Sequence, residues 1–230
     1  MANKAKQSVY VKVAGLTYIV IILLGIFSVN VIESNLIVPG NNAATFRNIV
    51  EHKFLFRIGV ASETLMYLLV ILLSSSLLII LKTVDKNLAM LALLMRVAEA
   101  IIGAATVVLS GLVPLHLITI DKVFPSKQIH TLLRLFLDIR GSGLDIVLMF
   151  IGVGGSVFCY LFYKSNYVPK FLACWGIFTY LSMLFLSFAS LISPDISETF
   201  KMVFYIPGGL FELIFGFWLL FKGINVKNSN

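Results

Sequence analysis

Six apolar runs set the limits on what this chain can fold into. They extend over roughly 13–31, 57–81, 88–117, 143–163, 171–191 and 202–221. A helix needs about 20 apolar residues to cross the hydrocarbon of a bilayer. Inside lipid every backbone polar group must bond within the protein, and these runs lack the alternation of a barrel strand. The sequence therefore predicts an all-α polytopic bundle with six transmembrane helices, organised as a single integral membrane domain over 1–230.

Composition supports lipid as the solvent for most of the chain. The sequence is 59% hydrophobic and 13% charged, with a mean hydropathy of +0.98. Soluble domains carry about 25% charged residues. The net charge of +7 could suggest nucleic acid. That partner is excluded because the basic residues fall mostly between the apolar runs, where lysines fix the orientation of a membrane protein. The partner predicted first is the lipid bilayer.

The distribution of lysines predicts the orientation. Lys82 and Lys86 lie in one short connection, Lys164 and Lys170 in another, and Lys222 follows the last run. Lysines near span ends in short loops mark the cytoplasmic side. We therefore expect both termini in the cytoplasm. The first run is long for a signal peptide and has no small-x-small cleavage site after it, so it is interpreted as an uncleaved span.

The first long connection predicts a short interfacial helix on the outer side. Asn41 or Asn42 follows a Pro-Gly turn and can cap a helix. Apolar residues then recur at helical spacing over 46–54, which is typical of an amphipathic helix lying on a membrane surface.

The second long connection predicts another such helix over 126–140. Arg134 and Asp138 lie four residues apart on its polar face and can pair. Gly141 and Gly143 follow, and we expect them to break this helix before span four. The predicted fold is thus six transmembrane helices with two short interfacial helices on the outer side.

Ionisable side chains inside the apolar runs are the candidates for function. A charge at bilayer depth costs about 2.5–3.5 kcal/mol on insertion scales, so each needs a partner, a proton or a water-filled cavity. The residues concerned are Glu63, Arg96, Glu99, Asp145 and Glu212. They comprise four acids and one base. An interior that contained all of them would have to hold a proton, water or a cation to balance the charge.

Spacing divides these residues into two groups. Arg96 and Glu99 are three apart and share a helix face. Glu212 falls at a similar depth if spans three and six are neighbours. We expect these three to form one interior network, with Glu63 and Asp145 nearer the outer mouth, reaching headgroups or external water.

Two function classes follow from this pattern. In the first, the network fixes helix packing, with Arg96 bridging Glu99 and Glu212, and the protein is a structural or accessory membrane protein that acts by association with an unidentified partner. In the second, the carboxylates line a polar cavity that binds a proton, a cation or a small polar ligand, as in a small proton-linked transporter. No catalytic nucleophile–base pair, cofactor motif or metal-ligand spacing is visible, so an enzyme ranks below both. Cys159 and Cys174 are expected to be free thiols.

Several segments together resemble a bacterial multi-pass membrane family known as domain of unknown function 4386. They occur in order and with matching spacing over about 14–222. They are 34–45, 55–59 followed by Glu63, Arg96 to Ala100, Asp145-Ile146, Tyr167 to Lys170, and Gly209 to Lys222.

This resemblance implies a multi-pass protein of the bacterial plasma membrane and brings no activity with it. Its matching charged positions are Arg57, Glu63, Arg96, Glu99, Asp145 and Glu212. The family commonly has a histidine in span four near position 154, where this chain has Gly154. That difference argues against a mechanism that needs a histidine there.

Overall fold

The computed structural model describes residues 2–119, 125–193 and 195–225, and within those ranges it contains helices and no strand. The α-helices are α1 (Ala2–Ser28), α2 (Asn42–Glu51), α3 (Lys53–Leu81), α4 (Lys86–Val107), α5 (Val113–Leu117), α6 (Ser126–Ser165), α7 (Lys170–Ile192) and α8 (Glu198–Phe217). The predicted all-α polytopic bundle is confirmed.

Six helical stretches of the described residues are long and apolar enough to cross a membrane. They are Ser8–Ser34, Lys53–Leu81, Lys86–Leu117, Lys127–Ser165, Lys170–Ile192 and Thr199–Lys222. Each contains or closely matches one of the predicted runs. The chain is therefore a multi-pass membrane protein.

Three spans include a π-helical segment, in which backbone hydrogen bonds join residues five apart and the helix is wider. Val29–Ser34 continues α1, Val108–Leu112 joins α4 to α5, and Trp218–Lys222 continues α8. Pro114 lies in the first turn of α5, where a missing backbone N–H is tolerated. Span three is thus one helical path assembled from three pieces.

Helix α2 is the first of the predicted interfacial helices. The Asn41 side chain caps it by accepting a hydrogen bond from the Ala44 N–H at 3.0 Å. Ile49 is fully buried, which anchors the apolar face. The helix ends at Glu51, so the apolar pattern that continues to Phe54 already belongs to α3.

The second predicted interfacial segment is helical but continuous with span four. Helix α6 runs through Gly141 and Gly143 for 40 residues, so the predicted break is wrong. A glycine in a helix costs only about 1 kcal/mol relative to alanine, which packing easily offsets. At Gly143 a Cβ atom would lie 2.6 Å from Thr106 Cγ2, so this glycine permits close helix approach. Arg134 and Asp138 pair as predicted, with Nε and Oδ1 at 2.7 Å.

The described residues form two compact units. Unit 1 comprises the described parts of Met1–Ile22, Leu68–Ala100 and Asp145–Asn230, and unit 2 comprises Leu23–Tyr67 and the described part of Ile101–Leu144. The core of unit 1 is aromatic, with Phe162 and Phe211 each packed on Phe215. The single domain over 1–230 stays a prediction.

Fully buried aliphatic side chains dominate the core of unit 2. Ile32, Leu36 and Ile49 are fully buried, as is the aromatic Phe56. These residues come from the end of span one and the segment just after it, from α2 and from the start of α3.

Candidate functional site

Arg96 and Glu99 form an ion pair inside unit 1. Both lie on α4, with Arg96 Nη1 and Glu99 Oε2 2.8 Å apart. Their residues are only 4% and 1% exposed. Residues three apart on a helix share a face, which explains the pairing. Although these two atoms form an ion pair, neither has a partner with hydrogen-bond geometry among the described residues. The pair therefore neutralises charge without satisfying all of its hydrogen-bonding capacity.

Glu212 has a different direct partner from the one expected. It lies on α8, is partly buried, and its Oε1 accepts a hydrogen bond from the Tyr180 hydroxyl at 2.7 Å. Glu212 also lies close enough to Arg96 and Glu99 to interact electrostatically with both. The expected bridge of Arg96 to both acids is replaced, among the described residues, by an Arg96–Glu99 pair and a separate Tyr180–Glu212 hydrogen bond.

Tyr18 and Cys159 complete this group of side chains. Tyr18 is within electrostatic reach of Tyr180, and both Tyr18 and Cys159 are within electrostatic reach of Glu212 and Arg96. Both residues are buried. We call this group the polar cluster, and its members are Tyr18, Arg96, Glu99, Cys159, Tyr180 and Glu212. It draws side chains from α1, α4, α6, α7 and α8.

Glycines on α6 and α7 allow these helices to meet around the polar cluster. A Cβ at Gly154 would lie 3.0 Å from Arg96 Cγ, and one at Gly155 would lie 2.7 Å from ring atoms of Tyr180. A Cβ at Gly176 would lie 2.5 Å from Cys159 Sγ. Small residues permit this close approach of membrane helices. The Arg96 side chain thus fills the space beside Gly154.

Asp145 belongs to a second polar site in unit 1. It is 7% exposed, and its Oδ2 accepts a hydrogen bond from the Ser190 hydroxyl at 2.8 Å. Lys201 Nζ lies 3.6 Å from the same oxygen, and the Tyr205 hydroxyl lies 3.4 Å from Oδ1. The Asp145 carboxylate is therefore held by side chains of α7 and α8, whereas we expected it to reach headgroups or external water.

Glu63 belongs to a third polar site, in unit 2. Both of its carboxylate oxygens accept hydrogen bonds from the Arg140 guanidinium, and Ser28 donates to Oε1 at 2.6 Å. Arg140 Nε also reaches Glu33 at 3.2 Å. Arg57, the remaining predicted residue, is an exposed residue of the same unit.

Comparison with known proteins assigns the sequence to a family. The profile of a family described as "Domain of unknown function (DUF4386)" matches residues 13–223. The chain belongs to the DUF4386 family. No curated protein and no solved structure matches it.

Most partners of the predicted charges in the DUF4386 chain are not apparent from its sequence. Arg140 lies in the segment that the sequence predicts to be a surface helix, and Tyr18 and Tyr180 lie within apolar runs. Tyrosines are enriched at membrane–water interfaces. A tyrosine far from the ends of an apolar run therefore indicates that its hydroxyl has a polar partner inside the membrane.

The polar cluster of the DUF4386 chain offers charge and hydrogen bonds to its surroundings. It combines one guanidinium, two carboxylates, two phenols and a thiol. Within the described ranges, no group of three His, Cys, Asp or Glu side chains is arranged to hold a metal ion. This arrangement can orient helices, or it can exchange a proton, water or a small cation at the carboxylate that Arg96 does not neutralise.

Proposed function

We propose that this chain is a non-enzymatic protein of a bacterial plasma membrane that acts by association, as a structural or accessory subunit. In this proposal the polar cluster fixes the relative positions of α1, α4, α6, α7 and α8. A buried polar group without a partner is costly in lipid, so helix arrangements that separate the partners are disfavoured. Membership of the DUF4386 family agrees with this reading and supplies no activity.

The observation that carries the proposal is the close packing of α6 against the polar cluster. A Cβ atom at Gly155 would lie 2.7 Å from ring atoms of Tyr180 and one at Gly154 would lie 3.0 Å from Arg96 Cγ, so little space is left beside these side chains. A transported or bound solute would need space beside these side chains. Tight packing supports a role in holding helices together.

Proton flux in proteoliposomes, compared with folded stability, tests this proposal. Wild type, Glu212→Gln and Glu99→Gln would be reconstituted with an internal pH-sensitive dye and exposed to a pH gradient. We expect the same flux in all three preparations and in protein-free vesicles, together with a lower unfolding temperature in detergent for both variants. A flux that wild type supports and a well-folded Glu212→Gln variant lacks would overturn the structural role.

The proposed orientation has both termini in the cytoplasm. It is supported by Lys82, Lys86, Lys164 and Lys170, which lie at or beside the ends of spans two to five. Lysines in short connections next to span ends favour the cytoplasmic side.

The second candidate is a proton- or cation-linked ligand-binding protein. It is favoured by buried polar atoms that have no hydrogen-bond partner among the described protein groups: Arg96 Nη1, Glu99 Oε2, Thr179 Oγ1 and Ser187 Oγ. Buried waters commonly satisfy such atoms. Two carboxylates near one guanidinium also offer a site for a balancing cation.

Cation binding distinguishes the second candidate. Purified protein would be titrated with Na⁺, K⁺ and protons while the unfolding temperature is followed. A saturable rise with one cation, lost in Glu212→Gln and retained in an exposed acid control, Glu51→Gln, would favour ligand binding. Equal unfolding temperatures across the titration would exclude it.

A further inference from the structure

Two neighbouring cavities occupy one end of unit 1. The larger, of about 690 Å³, lies between the α6–α7 connection and the segment that follows α8. The smaller, of about 440 Å³, lies between that segment and the beginning of α1. Residues 222–225 line both cavities. The Asn225 N–H donates to the Tyr167 carbonyl at 2.9 Å, which fixes this segment against the α6–α7 connection.

The charge of these cavities is positive. Lys12 lines the smaller, Lys170 lines the larger and Lys222 lines both, whereas none of the described lining residues is acidic. All three lysines are exposed. Lys170 Nζ lies 5.2 Å from the centre of the Tyr163 ring, a cation–π contact that orients the ammonium group without neutralising it. The cavities therefore present positive charge to an anion.

The cavities lie at the edge of the membrane-spanning segments. Span five begins at Lys170 and span six ends at Lys222. Trp218 and Tyr167 line the larger cavity, and such aromatic residues sit at headgroup level in membrane proteins. Phe171 and Phe221, next to the two lysines, are 78% and 75% exposed. Exposed apolar side chains thus lie next to the ammonium groups, so a phospholipid could place its acyl chains against the former and its phosphate against the latter.

We propose that these cavities bind the phosphate headgroup of an anionic phospholipid, with Lys170 and Lys222 as its main contacts. Basic pockets between membrane helices bind acidic headgroups in this way. A free phosphate ion is also an anion with phosphate oxygens, but it has no acyl chains to contact the adjoining apolar surface. The site is separate from the polar cluster, and the proposal stands whether or not that cluster is structural.

Fluorescence quenching by brominated lipids tests the proposal. The chain has two tryptophans, and Trp175→Phe leaves Trp218 in the larger cavity as the reporter. The Trp175→Phe chain would be placed in vesicles of phosphatidylcholine that contain increasing fractions of dibrominated phosphatidylglycerol or dibrominated phosphatidylcholine. We expect phosphatidylglycerol to quench at a lower mole fraction. A lysine near an anionic surface contributes about fivefold in relative affinity, so Lys170→Gln/Lys222→Gln should reduce the preference by roughly 25-fold.

The matched control is Lys82→Gln/Lys86→Gln. It removes the same charge from exposed lysines that line neither cavity. We expect it to keep the preference. Equal quenching by the two lipids, or an equal loss in the control, would overturn the site. Full displacement of phosphatidylglycerol by millimolar inorganic phosphate would also overturn it, because the site would then bind a small anion.

If Trp175→Phe does not fold, the shift in unfolding temperature of the wild type replaces quenching. We expect phosphatidylglycerol to raise that temperature more than phosphatidylcholine, and Lys170→Gln/Lys222→Gln to remove the difference. No difference in the wild type would contradict the proposal.

Discussion

At the scale of single residues, a tyrosine gives Glu212 a partner inside an apolar span. The Tyr180 hydroxyl donates to the Glu212 carboxylate at 2.7 Å. Hydrogen bonds between membrane helices contribute about 0.6 kcal/mol on average and up to about 1.7.

The Tyr180→Phe variant tests that bond. We expect a loss of about 1–2 kcal/mol in the free energy of unfolding, since the ring still packs and the acid loses its donor. Tyr160→Phe is the matched control, because Tyr160 is exposed. Equilibrium unfolding in mixed micelles measures both. Equal stability of the two variants would show that the hydroxyl contributes nothing.

The charged members of these sites could be predicted from the sequence, whereas most of their partners could not. A charge inside an apolar run is visible as a residue type, and the Arg96–Glu99 pair follows from helix periodicity alone. The partners of Glu212 and Glu63 come from helices 32 and 77 residues away in the chain. Which distant side chain meets an acid depends on the rotation and register of each helix, which composition does not determine.

At the scale of helices, α6 shows that the meaning of a glycine depends on its neighbours. Gly155 lies against the Tyr180 ring, whereas nothing lies within 4 Å of a Cβ built at Gly141. The same residue type therefore serves close helix packing at one position and has no packing role at the other. Sequence alone suggested a helix break at Gly141 because no neighbour was visible.

Alanine substitutions at these two glycines should have opposite effects. Gly155→Ala should destabilise the protein by about 1–3 kcal/mol, because the added methyl overlaps the Tyr180 ring. Gly141→Ala should be neutral or stabilise by up to about 1 kcal/mol, because alanine is the better helix former. Thermal unfolding in detergent compares them. A stabilising Gly155→Ala would contradict the described contact of α6 with α7.

The start of α4 has its own pH dependence. Asp85 lies between two membrane spans. Its Oδ1 accepts a hydrogen bond from the Leu88 N–H at 3.1 Å, and this bond holds the pKa of the Asp85 carboxyl below the ordinary value for aspartate. Lys164, at 3.6 Å, acts in the same direction. The ionised Asp85 cap stabilises the fold fully at pH values above the ordinary aspartate pKa, and this stabilisation is lost as the pH falls through the lowered pKa.

The Asn87 N–H also donates to Asp85 Oδ1, at 3.1 Å, so hydrogen exchange at the amides of Asn87 and Leu88 measures this cap. After correction for intrinsic rates, we expect protection to fall in acid in the wild type. Asp85→Asn should retain part of the protection with no such pH dependence, because asparagine can cap without titrating. An identical pH profile in Asp85→Asn would contradict the role of the carboxylate.

At the scale of the whole molecule, the number and approximate position of the spans could be predicted because lipid imposes them. Run length and hydrophobicity alone define a span, and each predicted run lies within or close to a helix of the described chain. The two compact units could not be predicted in this way, because they follow from contacts between helices. The π-helical segments could not be predicted either, because the hydrophobic pattern there does not differ from that of an α-helix.

Reporter fusions test the proposed orientation. Green fluorescent protein fused after the C-terminus should fluoresce, because it folds on the cytoplasmic side. Alkaline phosphatase inserted after Gly40, in the connection before α2, should be active, because it needs the outer side. The reverse pattern would show that the lysine-bearing connections face outward and would contradict the orientation.

The central claim is that buried charges hold the helices of unit 1 in place, and the Arg96–Glu99 pair tests it most directly. Breaking a buried ion pair by removing one partner costs about 3–5 kcal/mol, whereas replacing both by apolar side chains is often nearly neutral. The free energy of unfolding would be measured for Arg96→Met, Glu99→Met and the double variant in mixed micelles. We predict that the double variant is more stable than Arg96→Met. Additive losses in the double variant would contradict the claim.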